Sequence, residues 1–324
     1  MKLNRISLFL LSTHLIFALI FASCGVHADS SGFQLDPSDE QQLIRDLRYL
    51  SSDKLEGRKT GTEGSRLAIN FIEQRFDSLN LSMFGDSYRQ LFNHTNLRSG
   101  EEFLDAVNLV GYVEGTERPD RYLVITAHYD HLGIRDGEIF NGADDNASGT
   151  SALLAAADYF SENPPQNSMI FLAFDAEEQG LAGARWFVDH PVVPLKMIVM
   201  NVNLDMISTN FDNELFASGT YHYSYLKPII ESSAEHTEID VKFGYDSDSW
   251  PQDWTMASDH GPFHANEVPF IYFGVVDHPH YHQPSDTFEN INPQFFVDAS
   301  AFILKAIEQF DSNLDRIAEE SGRF

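Results

Sequence analysis

Four apolar runs in this chain each stop at a carboxylate or a histidine. Residues 122–127 (YLVITA) lead into His128-Tyr129-Asp130, and residues 169–174 (MIFLAF) into Asp175-Ala176-Glu177-Glu178. Residues 197–204 (MIVMNVNL) lead into Asp205-Met206, and residues 269–275 (PFIYFGV) into the 277–286 stretch DHPHYHQPSD. Continuous apolar runs of this length read as strands buried on both faces, which belong to parallel sheets covered by helices. Helical apolar spacing over 41–50, 64–79, 147–160, 180–189 and 293–310 alternates with them, and 107–113 is a further β-branched run. The expected fold is α/β: a mixed, mainly parallel sheet sandwiched between helices, one domain over residues 29–324. In such sheets chemistry collects at the carboxyl ends of the strands. One strand ending in a turn-forming Asp means little. Four such ends point to a site.

A fifth feature joins them. Residues 140–154, FNGADDNASGTSALL, set Asp144 and Asp145 in a Gly/Asn turn at the mouth of a helix. Adjacent carboxylates resist joint ionisation unless cations or hydrogen-bond donors hold them. Acidic residues are also common helix N-caps, but the four strand ends favour cations here.

The chemistry of any metal site is narrowed by the other end of the chain. Residues 1–28 read as an export signal: Lys2 and Arg5, an apolar stretch over 6–21, and a small-residue cleavage site at Val26-His27-Ala28. Phe21-Ala22-Ser23-Cys24 resembles a lipoprotein box, with Phe where Leu is usual, so a lipid anchor on Cys24 is the competing outcome. Both place the protein outside the cytoplasm: periplasmic, outer-membrane-anchored or secreted. Cys24 is the only cysteine. A chain cut after Ala28 therefore has no disulfide, thiol nucleophile or sulfur ligand, and a metal must be held by His and carboxylates, a set suited to Zn²⁺. The formal net charge of −28 disfavours nucleic acid and anionic membrane surfaces as partners. No Gly-x-Ser-x-Gly or His-Glu-x-x-His occurs, so the serine-hydrolase elbow and the helix-borne zinc motif are both absent.

In order, His128-x-Asp130, the GADDNASG turn, Glu177-Glu178, Asp205-Met206 and Tyr281-His282 resemble peptidase family M28, the co-catalytic zinc peptidases. The stretch 50–58, LSSDKLEGR, is similar to the family's usual beginning. The resemblance implies the zinc-peptidase/phosphorylase-like fold and a two-zinc aminopeptidase acting on peptide N-termini. It implies Asp144 as the carboxylate shared by two ions, His128 and Asp205 completing one site, and Glu178 and His282 the other. Glu177 would be the general base, acting on a water between the metals. Asp130, Asp145 and Asp259 would stand behind the ligands, Asp130 orienting the His128 ring. A cis peptide is expected between Asp144 and Asp145. Some relatives place an oxyanion-binding Tyr three residues before Ser-Asp-His; Thr255 stands there, and Tyr281 takes that role instead. His131, His260, His278 and His280 read as pocket wall, supporting or solvated residues. The 245–254 loop, YDSDSWPQDW, reads as either a substrate-pocket wall or a wet surface loop. Alternatives on the same fold are a carboxypeptidase or dipeptidase, a single-zinc glutaminyl cyclase, which lacks the counterpart of His128, and a non-catalytic binding module.

Overall fold

The computed structural model describes residues 34–235 and 237–323, so the signal read in residues 1–28, with Cys24, lies outside them. The chain opens with helices α1 (Pro37–Leu50) and α2 (Glu63–Ser78), then a hairpin of β1 (Arg89–Thr95) and β2 (Glu102–Val113). Next come β3 (Arg118–His128), a small ribbon of β4 (Gly133–Arg135) and β5 (Glu138–Phe140), α3 (Gly149–Glu162), β6 (Asn167–Phe174) and α4 (Ala182–Asp189). The second half carries β7 (Ile198–Leu204), β8 (Glu214–Ser218), α5 (Lys227–Ala234), β9 (Asp240–Phe243), α6 (His260–Ala265), β10 (Phe270–Gly274), α7 (Pro293–Ser312) and α8 (Leu314–Ser321). Eight strands form one mixed sheet in the order β1-β2-β6-β3-β7-β10-β8-β9. The central four, β6, β3, β7 and β10, are parallel to one another, while the β1–β2 hairpin and β8 add antiparallel pairings.

Alternation along the central strands shows why their sequences are apolar throughout. Leu123, Ile125, Met169 and Phe171 enter the core shared with α3 and α7, while Tyr122, Val124, Ile170 and Leu172 enter a second core with Phe187 of α4 and Phe263 of α6. Both layers are apolar, and the polar side chains inside these strands satisfy one another, Asn201 donating to the Val124 carbonyl at 3.2 Å and to Thr126 Oγ1 at 2.9 Å. The expected sandwich is therefore the observed one. Among the described residues no helix is long and apolar enough to cross a membrane. The edge strands β1 and β9 carry mixed exposure and had no clean apolar signal.

Candidate metal centre

The parallel register brings the strand ends level. His128, the last residue of β3, lies opposite Phe174, the last of β6, and Asp205 follows β7 directly. Across from them a wide turn, Ala143–Ser148, enters α3. Its geometry depends on glycine at two places. Gly142 is left-handed at φ 56°, and a Cβ there would fall 2.5 Å from the His131 ring. A Cβ on Gly149 would stand 2.2 Å from the Leu204 carbonyl, so only glycine lets α3 start this close to the end of β7. Asn146 closes that junction, donating to the Leu204 carbonyl at 2.9 Å and accepting from Gly149 N at 2.8 Å.

Two further residues hold the turn. Asp286 accepts from Asp144 N (2.9 Å) and Asp145 N (3.1 Å). Arg58, fully buried, donates to the carbonyls of Leu50, Tyr129, Asn141 and Gly142, tying the 50–58 stretch to the loops that carry the site. Burial pulls its pKa down to about 10, so it remains a cation at neutral pH.

The carboxylate these contacts aim into the cluster is Asp145. Its Oδ1 is 3.4 Å from His128 Nε2, which is also 3.4 Å from Asp205 Oδ1. Its Oδ2 is 3.0 Å from His282 Nε2 and 3.7 Å from His131 Nδ1. Glu178 Oε1 closes the second group, 2.9 Å from His131 Nδ1 and 3.4 Å from His282 Nε2. Two donor sets thus meet at Asp145: His128, Asp145 and Asp205, and His131, Asp145 and Glu178, with donor atoms of each set within 4.8 Å of one another.

This corrects the expected placement of Asp144. Its Oδ1 accepts from Ser208 N (2.6 Å) and Ser208 Oγ (2.7 Å), and its Oδ2 meets His278 Nε2 at 2.8 Å. Those bonds turn its carboxylate away from the His128 and Glu178 groups, so Asp145 occupies the shared position and Asp144 stands behind it. The cis bond is likewise displaced by one residue, to Asp145–Asn146. His131 is also more deeply placed than a pocket-wall reading implies: it is fully buried in the second donor set.

The donor set fits a metal. His131 Nε2 and Asp205 Oδ1 are buried without a hydrogen-bond partner, while His131 Nδ1 and Glu178 Oε1 face each other at 2.9 Å without hydrogen-bond geometry. Such orphans cost about 1–3 kcal/mol each, which a cation among nitrogen and oxygen donors would relieve. Electrostatics agrees. Burial opposes charge on His282, yet Asp145 and Glu178 outweigh it and push the ring up to about 10. Burial also opposes a charged His128, yet Asp205 and Glu177 hold its pKa well above the usual histidine range. The pocket has an excess of negative potential that positive charge must answer.

Glu177 differs from its neighbour. Burial, reinforced by Glu178 and Asp259 against the opposing pull of His128, raises it well above the ordinary glutamate range. It belongs to neither donor set. Its backbone N donates to Asp130 Oδ1 at 3.0 Å, and Glu178 N leans on Asp130 Oδ2 at 3.4 Å. The Asp130 carboxylate therefore shapes the Glu177–Glu178 turn, while the His128 ring is held by the Asp130 backbone carbonyl, 3.1 Å from Nδ1. Asp259 is buried with neither oxygen bonded, and burial pushes its pKa well up. Ser258 Oγ accepts from Asn203 and His260 Nε2 meets the Trp254 carbonyl at 2.8 Å, so Ser258-Asp259-His260 is no nucleophilic set. Thr255 is engaged by Asp253 at 2.6 Å. Tyr281 stacks on His282, ring centroids 3.9 Å apart, and burial raises its hydroxyl pKa.

The cluster floors a cavity of about 740 Å³. Its lining includes apolar side chains (Met206, Trp254, Met256, Tyr272, Val275) and polar ones (His94, Asn96, Arg98, Gln179, Arg185).

The model of peptidase family M28 matches residues 108–307. The chain belongs to family M28. Aminopeptidase YwaD of Bacillus subtilis is 33% identical over 214 residues, covering 62% of this chain and 44% of that protein. The matched stretch is thus under half the relative's length. Among solved structures, BSAP, a zinc aminopeptidase from Bacillus subtilis, superposes with a TM-score of 0.68 at 19% identity, covering 86% of this chain and 95% of that one. A Zn-dependent exopeptidase from Parabacteroides distasonis gives 0.68 at 16% identity, covering 86% and 99%. At these identities the two structures bear on the fold: the M28 architecture extends across nearly all of the described chain.

Proposed function

We propose that this M28 member is an exported metallo-aminopeptidase that holds two zinc ions and removes N-terminal residues from peptides. The observation that carries the proposal is the meeting of two buried donor sets at Asp145 beside a carboxylate, Glu177, that belongs to neither. The relatives' names, an aminopeptidase and zinc peptidases, favour the same reading. His128, Asp145 and Asp205 would hold one ion; Asp145, Glu178 and His282 would hold the other, with His131 against Glu178. Bound there, the ions would supply Lewis acidity toward the scissile carbonyl and toward water.

The chain's own residues divide the remaining work. Glu177 accepts a proton from the attacking water and returns it to the leaving amine. Its carboxylate belongs to neither donor set and so is free to take the proton, and Asp130 fixes its backbone. Tyr281 keeps its proton at any working pH, which suits a donor to the oxyanion. The apolar wall around Met206 and Tyr272 receives the N-terminal side chain and excludes water. Export rests on the leader read in residues 1–28, ending after Ala28 or at a lipidated Cys24.

The test is metal analysis of the purified mature chain combined with assays on aminoacyl-nitroanilides and N-acetylated peptides, with and without chelator. Two zinc ions per chain and chelator-sensitive cleavage of free N-termini alone are expected. One ion per chain, or release of C-terminal residues from blocked peptides, would point to the cyclase or carboxypeptidase alternatives.

A further inference from the structure

Within the aminopeptidase reading, on which it rests, we infer that Arg98 and Arg185 form a receptor for the carboxylate of a short leaving peptide, making peptides with a free C-terminus close to the scissile bond the favoured substrates.

The starting point is charge. The chain carries 21 basic against 49 acidic side chains, so a guanidinium that faces the cavity over the metal centre without an acidic partner is free to meet an anionic group of the substrate. Arg66, Arg75, Arg89, Arg118 and Arg121 all pair with carboxylates. Among the described residues Arg98 and Arg185 have no carboxylate within ion-pair distance, and both line the cavity over the metal centre. Arg185 is oriented through Nε, which donates to the Gly180 carbonyl at 3.0 Å.

Their wall faces the leaving group. A proton returned by Glu177 must reach the leaving nitrogen, so the departing peptide lies on the Glu177 side of the centre. The residues after Glu177 and Glu178 form that side, and the tip of the β1–β2 hairpin is fastened to it. His94 Nε2 meets the Gln179 carbonyl at 2.9 Å, and Asn96 Nδ2 donates to Gln179 Oε1 at 3.0 Å. Asn96 Oδ1 in turn accepts from Arg98 N at 2.9 Å, fixing the backbone that presents Arg98. The same cavity lining includes a carboxylate, Asp277. An acid and two cations around one cavity match the two charges of a zwitterionic short peptide. Guanidinium is the group best shaped to take a carboxylate in a fork.

The experiment compares full-length mature enzyme with Arg98→Gln, Arg185→Gln and the double variant on Leu-Gly-Gly, its C-terminal amide and its N-acetyl derivative. The wild type is expected to prefer the free acid over the amide by about tenfold in kcat/KM, a modest figure because both arginines are exposed. The preference should shrink at high salt. In the double variant the acid/amide ratio should fall toward one, chiefly through KM on the acid. Metal content and urea midpoint report whether the variants fold. A wild-type ratio near one, or an unchanged ratio in a folded double variant, overturns the inference while leaving the aminopeptidase reading intact. Equal cleavage of the N-acetyl peptide overturns that reading instead.

Discussion

Exchanging Asp144 and Asp145 one at a time for Asn separates two adjacent, chemically identical residues. Asp144 holds Ser208 through two contacts of 2.6 and 2.7 Å and His278 through one of 2.8 Å. Asn keeps the acceptor for Ser208 and the side-chain shape, so Asp144→Asn should lose mainly the charge assistance toward His278, about 1–3 kcal/mol of stability. Its zinc should stay. Asp145 sits within 3.0–3.7 Å of three histidine nitrogens, those of His128 and His131 from the two donor sets and that of His282 beside them. Asp145→Asn removes the charge common to both, and because supporting residues alone cost about 10–100-fold in metal affinity, the loss here should exceed ~100-fold. Metal retained after dialysis against a competing chelator reads the affinity, and urea unfolding of the stripped proteins reads the stability. Zinc lost from Asp144→Asn and kept by Asp145→Asn would reverse the assignment drawn from the turn.

Glu177→Gln should retain both zinc ions while kcat drops at least ~10²-fold, whereas Glu178→Gln should first lose metal; paired metal analysis and turnover decide between these roles. Arg58→Met should destabilise the chain by about 4 kcal/mol or more, since four buried carbonyls lose their donor at ~1–3 kcal/mol each; urea denaturation of the metal-free protein checks this. Asp46 is lifted to about 6 by burial, against the pull of Arg75. Its folded pKa lies above the unfolded one, so its contribution is fully present below about pH 4 and is lost as pH rises through 6. Relative to the wild type, Asp46→Asn should therefore gain up to about 3 kcal/mol between pH 4 and pH 7, and a pH-independent difference in urea midpoints would count against the burial argument.

The strand ends were legible because the sheet is buried on both faces: ionisable residues are kept to the ends of the central strands, so His128, Glu177, Glu178 and Asp205 announce themselves against apolar runs. The choice between Asp144 and Asp145 has no such local signal. It is made by Ser208, 64 residues away in sequence, and by Asp286, 141 residues from Asp145, which together fix how the turn rotates. His131 was obscure for a related reason: it lies past the end of β3, outside the strand period, and only the left-handed Gly142 packed against its ring reveals that it points inward. Arg58 was visible as part of a familiar stretch, but not as the clamp on three loops.

These gaps share a cause. The residue types at a strand's end follow from local burial, which the sequence records directly; the direction a loop side chain takes follows from long-range hydrogen bonds, which it does not. The same distinction explains why the basic wall escaped notice. Arg98 and Arg185 are separated in sequence by strands β2 to β6 and helix α3, and nothing in either neighbourhood marks them as partners. Gln179 joins them: its carbonyl and side-chain amide fasten the hairpin tip to the turn that also carries Glu177. Whatever fixes the general base therefore also fixes the wall that meets the leaving group. A change at Gln179 should for that reason disturb acid/amide selectivity more than metal content, since neither donor set includes it.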